Sequence, residues 1–212
     1  MNPTQKQFPL NRVASRKQFP ISKLSARLFY FSVATAFLFV GLPNIGRTQG
    51  SLFPIIVNST SDAGNNNKNP TVCDDGTGHC TLRGAIQVAN NQAGANVINI
   101  ALAPGSVINL GSALPNIAQA LTINGPVGRV TVRRNTGGNY SVFTVTAGPV
   151  RFSGLTISNG AASEGGGINQ TGTTVNVTNC VFLGNVANNG GGIYNKGGTL
   201  NVTDCTFSGN GA

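Results

Sequence analysis

The sequence predicts a parallel β-helix, a solenoid in which short strands stack coil upon coil. Its last third repeats one pattern at a fixed offset of 25 residues, since the GGGI run at 165–168 returns at 190–193. The strand-like runs at 175–177 and 179–182 likewise have equivalents 25 residues earlier, at 150–152 and 154–157. Apolar and polar residues alternate within these runs, and Gly and Asn clusters separate them. A fixed period over three passes indicates a repeat architecture.

Each repeat unit contains three short alternating runs, represented by Val175 with Val177, by Cys180 with Phe182, and by Ile168. Alternation buries one face of each run, and the Gly and Asn clusters allow the turns between runs. Three short strands cannot bury a core alone, but stacked in parallel about 4.8 Å apart they can. Leucine-rich repeats have a similar period, but the unit lacks their leucine ladder and any helical segment. We therefore predict an all-β fold, a right-handed parallel β-helix with 25-residue coils.

The repeat assigns turn and core roles rather than chemistry. The predicted turn and core residues are Gly165, Gly166, Gly167, Ile168, Gly190, Gly191, Gly192, Ile193, Cys180, Cys205, Phe182 and Phe207. The two cysteines occupy the same position in successive coils, where Leu155 stands one coil earlier. Stacked parallel strands point such side chains the same way, which is poor geometry for a disulfide. We expect both to be free buried thiols.

Residues 1–50 read as an export signal. They contain seven basic residues and no acidic ones, and an apolar run from Leu28 to Leu42 follows the basic region. A basic segment followed by a short apolar one is typical of a signal peptide. A retained anchor is the alternative, although a membrane span needs nearer 20 apolar residues. The other 162 residues carry seven basic and five acidic groups, about +2, which removes the main support for nucleic-acid binding.

Residues 51–96 are predicted to form an N-terminal cap. It begins with a strand at 53–57, continues into an Asn-rich surface loop, and reaches Cys73 and Cys80. In an exported chain, two cysteines this close predict a structural disulfide. A metal site is the alternative because two acids and the only histidine lie between them, but their spacing is not a recognised ligand pattern.

One helix is predicted, over residues 81–91, with Thr81 as its N-cap. Its apolar residues fall at i, i+3, i+4 and i+7 and form one stripe: Leu82, Ala85, Ile86 and Ala89. Arg83, Gln87 and Asn90 face away from that stripe. An amphipathic helix directly ahead of a solenoid is suited to covering the exposed end of its core.

The helix and the repeats resemble known bacterial surface proteins. The motifs 80–86, 89–90, 114–115, 121–123 and 125–126 resemble the CSLREA-type N-terminal domain of cell-surface β-helix proteins. The GGGI runs and the Phe182/Asn185 and Phe207/Asn210 pairs resemble repeats of polymorphic outer-membrane proteins. The resemblance covers the chain from about Val57 to its end and implies a bacterial outer-membrane or extracellular location. One departure is Gly84, where that family usually has the Glu of a capping box; the exchange should cost the helix about 1 kcal/mol.

The solenoid itself is predicted over residues 97–212. Its early strands are expected at 97–100, 107–110, 121–123, 130–132 and 143–145, with irregular spacing until the period begins at Val150. The length corresponds to roughly four to five coils. No C-terminal cap is visible in the sequence, so we expect either a fragment of a longer protein or an end covered by a partner.

Catalytic chemistry is not indicated. Glycoside hydrolysis needs two carboxylates close together, whereas Glu164 and Asp204 fall at different corners of the coil and align with Asn189 and Asn179. We assign no catalytic, cofactor-binding or metal-binding residue. The densest basic group comprises Arg129, Arg133, Arg134 and Arg151. It is read as a solvated face, with contact to an acidic glycan as the alternative.

The sequence thus favours an exported, non-enzymatic cell-surface protein, a structural stalk or adhesin-like surface. The alternative is a fragment of a polysaccharide lyase or glycoside hydrolase whose catalytic coils lie outside this sequence. The implied partners are surface glycans or proteins of a host or neighbouring cell. We expect no cofactor, no nucleic-acid partner and no membrane span in the mature chain.

Overall fold

The predicted parallel β-solenoid is confirmed by a computed structural model, which describes residues 53–212. The predicted signal segment at 1–50 lies outside the described residues. The described chain folds into about five turns, with one helix, α1 (Leu82–Asn90). The strands are β1 (Ile55–Val57), β2 (Asn96–Ile100), β3 (Val107–Leu110), β4 (Leu121–Asn124), β5 (Val130–Arg134), β6 (Phe143–Val145), β7 (Val150–Ser153), β8 (Leu155–Ser158), β9 (Ala161–Glu164), β10 (Ile168–Thr178), β11 (Val181–Leu183), β12 (Val186–Asn189), β13 (Ile193–Thr203) and β14 (Thr206–Ser208).

The strands form three sheets along the solenoid. Sheet A runs in the order β1-β2-β4-β7-β10-β13, and β6 pairs with the first part of β10. Sheet B runs β3-β5-β8-β11-β14, and sheet C contains only β9 and β12. Each strand pairs in parallel with its equivalent in the next coil, for example Val175 with Val150 and with Leu200. The backbone hydrogen bonds of the sheets therefore join coil to coil.

The corner between sheets A and B is a column of left-handed residues. Arg129, Gly154, Asn179 and Asp204 have φ of 67°, 65°, 52° and 52°. Glycine adopts this conformation freely, and Asn and Asp adopt it more readily than other residues. Arg129 is the exception, and its guanidinium reaches across the side-chain-free Gly154 to Asn179, with Nη2 donating to Oδ1 at 2.6 Å. Asp204 lies at this corner in the last coil, as its alignment with Asn179 predicts.

The 25-residue period begins at Val130, earlier than the sequence indicated. Val130 pairs with Leu155 and Phe143 with Ile168, both at the regular offset. The last irregular step is Leu121 with Val150, an offset of 29, and the extra residues lie at 125–128 between β4 and β5. The coil that contains Val130 and Phe143 is not evident from the sequence because it lacks the GGGI pattern. Tyr140 stands there at the position of Gly165 and Gly190 in the next coils.

The core consists of columns of apolar side chains that stack along the axis. In sheet B one column is Ile108, Val132, Ile157, Phe182 and Phe207. The rings of Phe182 and Phe207 lie parallel, with centroids 4.7 Å apart. Burial of each such side chain contributes about 1.5–3 kcal/mol. In the last coil, Phe207 is 47% exposed and Val202 42%, whereas their equivalents one coil earlier are fully buried.

Helix α1 packs on β1 and β2 and buries the whole predicted stripe. The side chains on its other face do not point into solvent; they hold loops. Arg83 pairs with Asp62 at 2.8 Å and donates to the carbonyl oxygens of Ser112 and Ala113. Gln87 Oε1 accepts from the backbone N–H of Asn65. Asn90 bonds to the backbone of Asn116 and Ala118. A helix with so few charges is thereby fixed at its solvent side as well as at the core.

The predicted disulfide between Cys73 and Cys80 is confirmed. It lies against the start of α1, where Thr81 is the N-cap and its Oγ1 accepts from the N–H of Gly84 at 3.0 Å. Gly84 is buried: a Cβ there would lie 3.2 Å from Thr81 Oγ1 and 3.4 Å from Cys73 Sγ. Any side chain at position 84 would therefore lie close against the N-cap hydroxyl and the cystine loop.

We predict that Ile168→Asp destabilises the solenoid much more than Ile193→Asp does. Both residues occupy the same position in successive coils, but Ile168 is fully buried and Ile193 only partly. An unpaired carboxylate at Ile168 should cost about 4 kcal/mol or more, and at Ile193 about half as much or less. Urea unfolding followed by circular dichroism measures both. Equal losses would contradict the burial described for the last coil.

Gly84→Glu should destabilise the protein rather than complete a capping box. The new side chain would be forced against Thr81 and Cys73, at a cost of about 1–3 kcal/mol. Gly84→Ala is the matched control. It gains about 1 kcal/mol of helix propensity, and its side chain is shorter than that of Glu, so it crowds Thr81 and Cys73 less. A higher melting temperature for Gly84→Glu than for the unaltered chain would refute this account of the departure.

Candidate binding grooves

The predicted turn residues of the GGGI runs serve close backbone stacking. Gly165 and Gly190 have φ of 61° and 62°, and a Cβ on Gly167 would lie 2.4 Å from the carbonyl oxygen of Gly192. A larger residue therefore cannot be placed there without moving the neighbouring coil. These glycines build the scaffold, and they bring no reactive group to the surface.

A lateral ridge, formed by β9 and β12, projects from the side of the solenoid. Gly160 and Gly166 approach so closely that a Cβ on Gly160 would lie 1.7 Å from the carbonyl oxygen of Gly166. Residues 161–165 thus leave the coil and rejoin it at one point. The next coil repeats the excursion at Val186–Asn189, and the two segments pair in parallel. The three strands per coil that the sequence predicts do not include this ridge.

The base of the lateral ridge is held by buried asparagine. Asn185 is fully buried, and its Oδ1 accepts from the N–H of Gly160 at 2.9 Å while its Nδ2 donates to the carbonyl oxygen of Ile157. Asn210 repeats the role one coil on, with its Oδ1 accepting from Asn185. The Phe-x-x-Asn pairs of the sequence are therefore a stacked phenylalanine beside an amide that holds the ridge.

One groove, the amide groove, lies between the lateral ridge and the outer face of β6 and β10. Its volume is about 490 Å³, and its polar lining includes Asn139, Ser141, Thr144, Glu164, Asn169 and Asn188. Tyr194 follows Asn169 in the outward column of the next coil. The groove offers neutral hydrogen-bonding groups and one carboxylate, and Ser141 Oγ donates to the Glu164 carbonyl oxygen at its floor.

A second groove, the arginine groove, lies on the other side of the ridge. It has a volume of about 310 Å³ and is lined by Arg133, Arg134, Asn135 and Asn159 together with small residues of the ridge base. Arg133 Nε donates to Asn109 Oδ1 at 2.6 Å. Arg134 Nε and Nη1 donate to the carbonyl oxygens of Asn159 and Gly138.

The predicted basic group is therefore divided. Arg133 and Arg134 share the arginine groove, Arg129 is bound to Asn179 at the corner, and Arg151 lies exposed on the outer face of sheet A. The sequence placed all four in one group because they are close in the chain. Only the first two are brought together at one surface.

The two cysteines of the repeat are free, with Cys180 buried and Cys205 partly buried. The N–H of Cys180 donates to Cys205 Sγ at 3.4 Å. Burial raises the pKa of Cys180 to about 11, so its thiol remains protonated at neutral pH. A thiol, unlike a thiolate, is a poor nucleophile. Cys180 is a packing residue.

The acidic residues are dispersed. Glu164 lies in the amide groove and Asp204 at the corner of the last coil. In the cystine loop, Asp74 Oδ1 accepts from the N–H groups of Gly76 and Gly78, and hydrogen bonds from Thr77 lower the pKa of Asp75. Within residues 53–212, no three His, Cys, Asp or Glu side chains lie together as metal ligands do. The acids of the cystine loop shape a turn.

Comparison with known proteins gives no family: no family model, no curated protein and no solved structure matches the chain. The described part of the chain has no helix that is both long and apolar enough to span a membrane.

We predict that the stability of the protein falls between about pH 9 and pH 11 because of Cys180. The folded protein keeps the thiol proton to about pH 11, whereas the unfolded chain loses it near its ordinary pKa of 9.0. The unfolded state then binds fewer protons, so the unfolding free energy drops as the pH rises, by about 2–3 kcal/mol across the window. Cys180→Val fills the column with an apolar side chain and should lose this component. If the difference in unfolding free energy between the unaltered chain and Cys180→Val stays the same from pH 8 to pH 11, the contribution of Cys180 is refuted.

Proposed function

We propose that this protein is an exported, non-enzymatic β-solenoid of the cell surface that presents a polar adhesive face. The observation that carries the proposal is the outer surface of the solenoid, where neutral side chains stack in columns. Asn124 Nδ2 donates to Asn99 Oδ1 at 3.0 Å, and Asn201 donates to Asn176 in the same way at 2.9 Å. Such ladders stiffen the surface and leave amides and hydroxyls for contact.

Export is supported by the disulfide and by the basic, then apolar leader. Disulfides persist in oxidising compartments and are rare in the cytosol. The Cys73–Cys80 bridge closes the loop that leads directly into the N-cap Thr81, so it supports the start of α1. A chain whose cap uses a disulfide is suited to the exterior of the cell. The resemblance to CSLREA-type surface proteins favours the same location.

A structural role is supported by the positions of the two acids in the solenoid. Asp204 occupies the left-handed corner that Asn179 occupies one coil earlier, and Glu164 pairs in register with Asn189. Each acid therefore stands where a neighbouring coil has an amide. They lie at different places on the coil, so they do not form the close carboxylate pair that glycoside hydrolysis uses.

Location can be tested on intact cells that produce the full chain. We expect brief trypsin treatment of intact cells to remove the protein, and a membrane-impermeant maleimide to leave Cys73 and Cys80 unlabelled until reduction. Protection from trypsin until lysis, with all four cysteines reduced, would refute the surface location.

The enzyme alternative is tested with the purified chain. Incubation with polygalacturonate, xylan and chitin should release no new reducing ends and no unsaturated sugars. Release that disappears in Glu164→Gln but persists in Asp204→Asn would establish a carbohydrate-cleaving enzyme and refute the structural role.

A further inference from the structure

We infer that the arginine groove binds the oxyanion of an acidic polysaccharide, such as the carboxylate of a uronate unit. The groove lies beside the lateral ridge, where Arg133 and Arg134 end strand β5. This inference goes beyond surface display, since it assigns a ligand chemistry to one place on the solenoid. It can be tested in the purified protein irrespective of where the cell holds it.

Both guanidinium groups are held in place and still have free donors. Arginine carries five N–H donors. Arg133 uses Nε for Asn109, so neither of its Nη groups has a protein acceptor in the described chain. Arg134 uses Nε and Nη1 for backbone carbonyl oxygens, which leaves Nη2. A side chain already fixed by one face loses less entropy when its other face binds a ligand.

The positive charge of the groove has no countercharge. Across residues 53–212 the one ion pair is Arg83 with Asp62, at the N-terminal cap. The partners of Arg133 and Arg134 are an amide oxygen and backbone carbonyl oxygens, all neutral. A planar guanidinium with two free Nη groups matches a carboxylate or sulfate in a two-bond arrangement. An anion is therefore the ligand that the groove lacks.

The walls of the groove favour a sugar as the carrier of the anion. Asn135 and Asn159 supply amides to the lining, and Gly160 and Gly184 add no side chain to it. Val186, which is 55% exposed, and Ala161 supply an apolar strip on the ridge. A pyranose ring presents hydroxyls at its edge and C–H groups on its faces, which fits this combination. Nucleic acid fits less well because the groove has no aromatic side chain on which a base could stack.

The test is a titration of the purified chain with a galacturonate hexamer, followed by calorimetry. We expect measurable binding of the hexamer, and no binding of its fully methyl-esterified form, which has the same sugars without the charge. Arg133→Gln should weaken binding about tenfold or more, as expected for the loss of a two-bond ionic contact. Arg133→Lys keeps the charge but not the fork, and it should weaken binding several-fold.

Arg151→Gln is the matched control, because it removes the same charge from an exposed position on sheet A, outside the groove. Its affinity should stay within about twofold of the unaltered chain, since a distant surface charge is screened. Three results would each overturn the inference: equal losses in Arg133→Gln and Arg151→Gln, equal affinity for the methyl ester, or tighter binding of a single-stranded DNA hexamer. Thermal melting confirms that each variant is folded. If Arg133→Gln does not fold, the affinity of Arg133→Lys for the hexamer is compared with that of Arg151→Gln instead. A several-fold loss in Arg133→Lys alone supports the inference, and equal affinities overturn it.

Discussion

The structure depends on one constraint, the in-register parallel pairing of each coil with the next. A strand in this chain has its hydrogen-bond partner one period away, so no coil completes its own backbone bonding. Every other feature adapts to that requirement. Side chains stack on identical or similar ones in columns, and corners repeat at the same backbone conformation. Helix α1 packs on β1 and β2 and covers the core of the first described coil.

Local pattern sufficed to predict the columns but not the ridge. Alternating apolar residues such as Val175, Val177 and Phe182 mark the strands that face the core, since burial imposes a period of two. In the ridge segments AASE and VANN only Ala187 is buried, so burial imposes no alternating pattern on them. Their path follows from the close approach of Gly160 and Gly166, a backbone contact between residues six apart that becomes evident only in three dimensions.

The sequence predicts a basic group that includes Arg133 and Arg134, but not the groove that these two share. Consecutive residues in a strand point to opposite faces, so alternation alone does not bring the two side chains to one surface. Strand β5 ends at Arg134, and the turn that follows brings that side chain toward the ridge and onto the backbone of Asn159. The helix was easier, because its apolar stripe was complete. Its polar residues face away from that stripe, as the sequence predicts, but their loop partners lie too far along the chain for local pattern to reveal.

The corner column implies that substitutions there cannot be independent. Arg129 has a left-handed backbone, and its guanidinium donates to the backbone and side-chain oxygens of Asn179, two coils away and past the coil of Gly154. A larger residue at Gly154 would crowd the carbonyl oxygens of Gly125 and Pro126, and the second of these accepts from the N–H of Arg129. A smaller residue at Arg129 would leave Asn179 Oδ1 without this donor. The effect of a change at one of these positions therefore depends on the residues at the other two. Along this edge the contacts couple three successive coils, even though the sequence repeats in units of one.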